Sequence, residues 1–270
     1  MLEIVDTKKT FHAGTPNEVR ALRGVSLTIE RSSFVCVIGT NGSGKSTLLN
    51  AVAGTFFTDS GRICLDGTDI TRWPEHRRAK LIGRVFQDPF SGTAPSMTIA
   101  ENLALAARRG RPRGLNWALS PHHRGELRDR VAAMGLDLED RLNNPIGTLS
   151  GGQRQSLTLL MAGLLKPSLL LLDEHTAALD PKSADQVIRL TQEIISRDKL
   201  TTLMVTHSMQ QAASLGDRVI MMDRGRVAFD ISGQAKRRLR SEDLLSRFEE
   251  LRRANQLDES AAEMLRRQYV

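Results

Sequence analysis

The chain has 270 residues, enough for one large core or for a core with an inserted lobe. It carries 38 Lys and Arg against 31 Asp and Glu, a formal +7, which suits phosphate ligands, nucleic acid or an anionic membrane face without choosing among them. Its two cysteines, Cys36 and Cys64, exclude a disulfide framework and fit a reducing compartment; no basic-then-apolar leader and no apolar run of membrane length is present, which leaves any spanning to other chains.

In chain order, residues 1–35 read as short strands with a turn at Gly14-Thr15-Pro16-Asn17. Phe11 stands just before that turn, and in a chain poor in aromatics it is open to two readings, a core residue or a ring that stacks on adenine. The apolar run Phe34-Val35-Cys36-Val37-Ile38 predicts a strand, and Leu48 to Ala53 can continue as a helix. Between them lies Gly39-Thr40-Asn41-Gly42-Ser43-Gly44-Lys45-Ser46-Thr47, a full match to G-x-x-x-x-G-K-[ST] in its required context of strand, loop and helix. Gly42 and Gly44 allow successive N–H groups to point inward and cradle phosphate at a helix N-terminus. Lys45 is placed to reach the β- and γ-phosphates, and the Ser46 hydroxyl to ligate Mg²⁺.

Residues 61–70 alternate apolar and polar around an Asp-Gly turn and predict a hairpin. A basic cluster, Arg77 to Lys80, precedes the strand Leu81 to Phe86, which runs into Gln87; Gln87 is expected near the metal provided that this strand neighbours the phosphate-loop strand. From about 96 to 165 the pattern is helical, with one helix opening at Thr98-Ile99-Ala100-Glu101-Asn102, a basic linker from Arg108 to Gly114, and a second helix from Arg124 to Met134. The run Arg108-Arg109-Gly110-Arg111-Pro112-Arg113 reads as a solvated loop or as a contact to nucleic acid or lipid headgroups. Leu149-Ser150-Gly151-Gly152-Gln153 at a helix start makes a second anion-binding N-terminus; one nucleotide does not need two, so this one is expected to serve another subunit's nucleotide.

Leu169-Leu170-Leu171-Leu172-Asp173-Glu174 is an apolar strand that ends in two carboxylates at the carboxyl edge of a parallel sheet, where α/β proteins bind ligands. Asp173 suits a water-mediated Mg²⁺ contact, and Glu174 suits the general base on the attacking water. Asp180 lies in the turn Ala178-Leu179-Asp180-Pro181 and is available to an interface. His207 follows the buried strand Leu200 to Thr206, where it can meet a γ-phosphate or face solvent. The tail carries Lys236-Arg237-Arg238-Leu239-Arg240 and an amphipathic pattern through Leu244, Leu245, Phe248 and Leu251, with Leu257 and Met264 beyond. It reads as a helix packed on its own domain or as a dimer or headgroup contact.

Gly39 to Thr47, Gln87, Leu149 to Gln153, Leu169 to Glu174, Asp180 and His207, in this order and spacing, resemble the ATP-binding-cassette family of ATPases over about residues 1–230. The resemblance implies an α/β fold: a P-loop NTPase core with a mostly parallel sheet, an N-terminal antiparallel β subdomain, and an α-helical signature subdomain inserted at about 90–165, followed by a helical tail at 231–270. It implies ATP and Mg²⁺ as cofactors, with Phe11 stacked on adenine, the Asn41–Thr47 loop around the phosphates, and Gln87 sensing both Mg²⁺ and the membrane partner. Ser46 and Asp173 complete the metal side. Lys45, Glu174, Gln87 and His207 would carry catalysis, with His207 switching on the γ-phosphate. Ser150, Gly151, Gly152 and Gln153, with Asp180, would complete the site of the other subunit in a head-to-tail homodimer.

The partners implied are integral membrane permease subunits, which the inserted helices would dock on, and an extracytoplasmic substrate-binding protein, with the chain peripheral at the cytoplasmic face of the inner membrane. The sequence departs from the family at His175, where Pro is usual, at Ser156 in place of Arg, and at Met161-Ala162-Gly163-Leu164. Asp-Glu-His-Thr-Ala-Ala-Leu-Asp-Pro with the charged tail is similar to ATPases of amino-acid importers of the tryptophan or tyrosine type. The lack of a fused membrane domain and the stretch Pro95 to Asn102 also resemble importers, although lipid movers and exporters share the separate chain. Repair, chromosome and regulatory ATPases share the cassette as well; here no sustained heptads or metal-spaced cysteines lie between the phosphate loop and Leu149, and no nucleic-acid partner is expected.

Overall fold

A computed structural model describes residues 1–110 and 119–253. β1 (Leu2–Phe11) and β2 (Val19–Ile29) pair antiparallel, β3 (Phe34–Gly39) runs into α1 (Lys45–Ala53), and β4 (Ser60–Leu65) and β5 (Thr68–Asp69) return to the first sheet, ordered β2-β1-β4-β5. α2 (Glu75–Arg78) and β6 (Ile82–Val85) lead to α3 (Ile99–Ala107), α4 (Pro121–Ala132) and α5 (Gly151–Gly163). β7 (Leu169–Asp173), α6 (Pro181–Asp198), β8 (Thr202–Val205), α7 (Met209–Ser214), β9 (Arg218–Asp223), β10 (Arg226–Ser232) and α8 (Gly233–Arg237) follow, and a further helix runs through 241–253. The second sheet has the order β10-β9-β3-β8-β7-β6 and is parallel except for β10 on β9.

The near-continuous apolar runs of β3, β7 and β8 follow from burial on both faces of a parallel sheet. Alternate residues serve different cores: Val35 and Val37 join a cluster with α1 and the antiparallel sheet, while Cys36 and Ile38 join one with Ile194 of α6 and Ala212 of α7. A third cluster gathers Ile99, Leu103, Leu127, Val131 and Leu157 in the helical insert. α5 straddles the last two, with Leu159 and Ala162 facing the sheet and Leu157 and Leu160 facing the insert. Its direction is fixed at the start by a capping box: Ser150 Oγ accepts from Gln153 N–H and the Gln153 side chain accepts from Ser150 N–H. α3 begins in the same way, on Thr98 and Glu101.

Two expectations change. The first strands are long, 10 and 11 residues, because the polar interruptions are irregularities within them and not ends: the β1–β2 register shifts around Thr7, and Asp6 has φ 42°. The strand before Gln87 does not neighbour β3; β7 and β8 lie between them, so the stated condition for Gln87 fails. Val85 pairs with Leu172, however, so Gln87 enters the same carboxyl edge from the β7 side. Within the basic cluster Arg77 to Lys80, Arg78 is buried. Of the basic run Arg108 to Arg113, residues from 111 onward lie outside the described residues, as do Leu257 and Met264; Arg109 is drawn inward to the carbonyl of Ala162 at 3.0 Å.

Candidate active site

The loop between β3 and α1 bends where glycine permits. Gly44 has φ 100° and passes the carbonyl of Ala21 so closely that a Cβ would lie 2.5 Å from its oxygen. Gly42 has φ 77° and open space where its Cβ would stand, the hollow a phosphate chain needs. α1 has no side-chain N-cap and no acidic residue in its first turn, so its N–H groups are left for an anion. Ser43 Oγ is buried without a partner at the same place, and Asn41 and Ser46 are exposed. The Lys45 ammonium, itself buried, is folded back over the loop and donates to the carbonyls of Gly39 and Thr40, both at 2.9 Å. Burial pushes its pKa down, and the charges of Glu174 and Asp173 work against that shift. These features fit a nucleotide polyphosphate.

β7 delivers the two carboxylates to the same edge. Asp173 Oδ2 lies 3.5 Å from Arg84 Nη2, and burial raises the Asp173 pKa despite Arg84 and Lys45. Among the described residues no cluster of three or more His, Cys, Asp or Glu side chains could hold a metal. A Mg²⁺ at Ser46 and Asp173 would thus draw its remaining oxygens from phosphate and water, the usual habit of that ion, and the hard donors present fit it. Glu174 takes a left-handed backbone (φ 45°), its N–H bonded to Val205 O at 3.0 Å, and its Oε1 meets His207 Nε2 at 2.6 Å. The His207 turn is braced from behind: Thr206 Oγ1 donates to Gln211 Oε1 at 2.8 Å, and Gln211 Nε2 donates to Thr176 Oγ1 at 3.2 Å. Lys45, Asp173, Glu174 and His207 therefore share one edge, and Gln87, exposed, follows β6 onto it.

Other expected residues stand apart from this group. The Phe11 ring packs edge to face on Phe56 (centroids 5.3 Å apart, 84° between planes), with Lys9 Nζ 5.5 Å from its centroid. Asp180 is exposed and caps α6, accepting from Ser183 N–H at 3.1 Å. Gly151 and Gly152 abut the start of that helix: a Cβ on Gly152 would lie 2.8 Å from Ser183, which requires glycine there.

The parts played by three side chains escaped sequence reasoning, although His175 was marked as a departure from the family. Arg84 forks between Asn50 Oδ1 (2.6 Å), Thr55 Oγ1 (3.2 Å) and Asp173, tying α1 to the end of β7. In the sequence it is only the polar member of an alternating strand. His175 is buried against Thr191, Nε2 to Oγ1 at 3.0 Å, and burial lowers its pKa to about 4. Arg154, one residue past the Leu149–Gln153 motif, is 2% exposed; its adjacency to that motif was the available signal.

The family described as ABC transporter matches residues 22–177. The chain is 45% identical over 251 residues to the tyrosine transport ATP-binding protein of Clostridioides difficile (strain R20291), covering 92% of this chain and 99% of that one. It is 34% identical to the lipoprotein-releasing system ATP-binding protein LolD 1 of Caulobacter vibrioides, over 86% of this chain and 96% of that one. Its fold is similar to that of the dimeric, post-hydrolysis ATP-binding cassette MJ0796 bound to ADP and Pi, with TM-score 0.72 and 28% identity over 86% of this chain and 98% of that chain.

Proposed function

The chain belongs to the ABC transporter family and is an ATP-hydrolysing cassette of it, and from that premise we propose that it energises a separate membrane permease for the import of an amino-acid-type solute. The observation that carries the catalytic part is the Glu174–His207 contact of 2.6 Å beside Lys45 and Asp173. In this reading Lys45 leaves its loop carbonyls for the β- and γ-phosphates; the Ser46 hydroxyl and, through water, Asp173 would hold a Mg²⁺, which would supply positive charge to the phosphate oxygens. Glu174 orients the attacking water and takes its proton, His207 turns from the carboxylate to the γ-phosphate, Gln87 would serve the metal side, and Phe11 offers a ring face to adenine. Ser150, Gly151, Gly152 and Gln153 of one subunit, with Asp180, complete the site of a second copy, so that ATP closes the pair and hydrolysis reopens it.

Residues 1–230 form the ATPase unit in this reading, with the helices of about 90–165 as the lobe that meets the permease and 231–270 as a tail. In this reading the chain is a peripheral subunit with permease chains and an extracytoplasmic binding protein as partners; among the described residues no helix is long and apolar enough to cross a membrane. The 45% identity to a protein named for tyrosine transport supports amino-acid import; the 34% identity to one named for lipoprotein release keeps export as the second reading.

Glu174→Gln should keep nucleotide binding and accumulate an ATP-loaded dimer in size-exclusion chromatography with light scattering; turnover at the parental rate would remove Glu174 as the base. Affinity capture from detergent-solubilised host membranes decides the transport part: a multispanning permease with a substrate-binding protein supports import, and an export partner overturns it.

A further inference from the structure

Arg154 is a buried cation outside the catalytic edge, and its contacts run in two directions. On one side the guanidinium donates to three backbone carbonyls of the segment entering Ser150: Ile146 at 3.3 Å, Gly147 at 2.7 Å and Leu149 at 3.2 Å. On the other it lies 3.7 Å from the centroid of the Phe90 ring, while its Nη1 is buried without a partner. Phe90 belongs to the loop that follows Gln87. That loop is a bonded unit: Asp88 accepts from the Phe90 N–H at 2.9 Å and from the Ser91 hydroxyl at 3.4 Å. The residue before Gln87 is tied to α5 as well, since Gln155 Nε2 donates to Phe86 O at 2.9 Å.

Phe90 is 56% exposed as a residue. An exposed phenyl resting on a buried guanidinium is an unusual use of an arginine, because taking the charge out of water is costly unless every proton is satisfied. A planar cation with a fork of donors is the side chain that can hold several carbonyls along its edge and carry a ring on its face; lysine has no such plane.

We propose that Arg154 is a positioning residue that couples the Gln87–Ser91 loop to the Ser150–Gln153 turn, so that a shift of the Phe90 ring moves the turn offered to the second subunit. The coupling rests on the reading that this turn completes a partner's nucleotide site. It joins the loop that follows β6 onto the catalytic edge to the turn offered to the other subunit. The lever is an exposed ring, and the fulcrum is a guanidinium whose hydrogen bonds are all to main chain and whose charge also attracts Asp88 of the same loop.

The test is a double-mutant cycle in the full chain carrying Glu174→Gln, with ATP-driven dimerisation followed by light scattering. Phe90→Ala alters an exposed side chain and is expected to leave the thermal midpoint unchanged, yet to raise the ATP concentration that drives pairing by about five-fold or more. Binding of a fluorescent ATP analogue to the monomer should stay within about two-fold, since the Phe90 ring rests on Arg154 of α5 and is not among the groups assigned to nucleotide binding. Arg154→Lys, which keeps the charge and loses the plane, should reproduce the pairing defect, and adding Phe90→Ala to it should change nothing further. Pairing by Phe90→Ala at the parental ATP concentration, or full additivity of the two substitutions, overturns the coupling alone. A Glu174→Gln parent that never pairs with ATP overturns the paired-site reading and the coupling with it.

Discussion

Glu174 is held at φ 45°, a conformation that costs a non-glycine residue on the order of 1 kcal/mol, and the residue after it is anchored in the core. Thr191 Oγ1 spends its proton on Val187 O at 2.7 Å, so the His175 Nε2 bears hydrogen and donates to it. This imidazole stays neutral in the fold down to about pH 4, whereas in the unfolded chain it titrates near about 6.5. Between these values the unfolded chain binds the extra proton, so stability is present above the unfolded pKa and is lost as pH falls toward the folded one. From pH 7.5 to 5 the loss from this group should be about 2 kcal/mol. Urea unfolding of the nucleotide- and metal-free protein should show it, and His175→Gln, which keeps a donor and cannot titrate, should flatten the pH slope; equal slopes in both proteins would remove His175 as the cause. The loop Gly39 to Thr47 and the pair Asp173-Glu174 were legible in the sequence because backbone geometry and phosphate chemistry narrow the residues allowed there. Arg84, His175 and Arg154 were not, since each acts through partners at least several residues away, such as Asp173 at 3.5 Å from Arg84. Gln87 was tied to the wrong neighbour for a related reason: which strands lie side by side is decided by packing, not by the local run Leu81 to Phe86.

α1 shows how an element is finished by residues that the local pattern hides. Its N-terminus is left open for a phosphate, but its C-terminus is closed twice. Gly54 takes the left-handed cap at φ 83°, with its N–H on Asn50 O at 2.9 Å, and Arg78 reaches in beside it. The Arg78 guanidinium donates to Ala51 O (2.7 Å) and Val52 O (2.9 Å) in α1, and to Trp73 O and Thr71 O in the segment before α2. A positive charge at the helix C-terminus is favourable, and burial lowers the Arg78 pKa to about 10, still well above neutrality. Arg78→Met should leave these carbonyls unpaired and cost about 3 kcal/mol of unfolding free energy in urea, with Arg77→Met, which loses only its stacking on Trp73, costing about 1 or less. Comparable losses from both would mean that the buried fork contributes little. Helix starts were readable because caps are local, as at Thr98 with Glu101 and Ser150 with Gln153. The division of α5 between two cores was not, because its apolar residues fill more than one face.

At the scale of the molecule the open choice was whether the basic, amphipathic tail belongs to the domain or to a partner. Leu244 is fully buried in the same cluster as Phe34, Cys36 and Leu215, with Leu239, Phe248 and Leu251 packed beside it. Lys236 Nζ donates to Ala213 O at 2.7 Å, and Arg247 lies over the Phe229 ring at 5.6 Å. The described part of the tail therefore closes one face of the main sheet. Deleting 236–270 would uncover that face, so lost dimerisation in such a truncation could come from damage to the core and would not identify an interface. Point substitutions on opposite sides of the helix separate the two. Leu244→Ala should destabilise the chain by about 3 kcal/mol in urea, the cost of a cavity in a packed core. Leu245 is 48% exposed, and Leu245→Asp should leave the unfolding midpoint and ATP-driven pairing at parental values. A Leu245→Asp chain that unfolds normally but no longer pairs, or is no longer recovered with membranes, would make the outer side of this helix a contact surface, and the +7 charge of the chain would then belong to the argument about its partner.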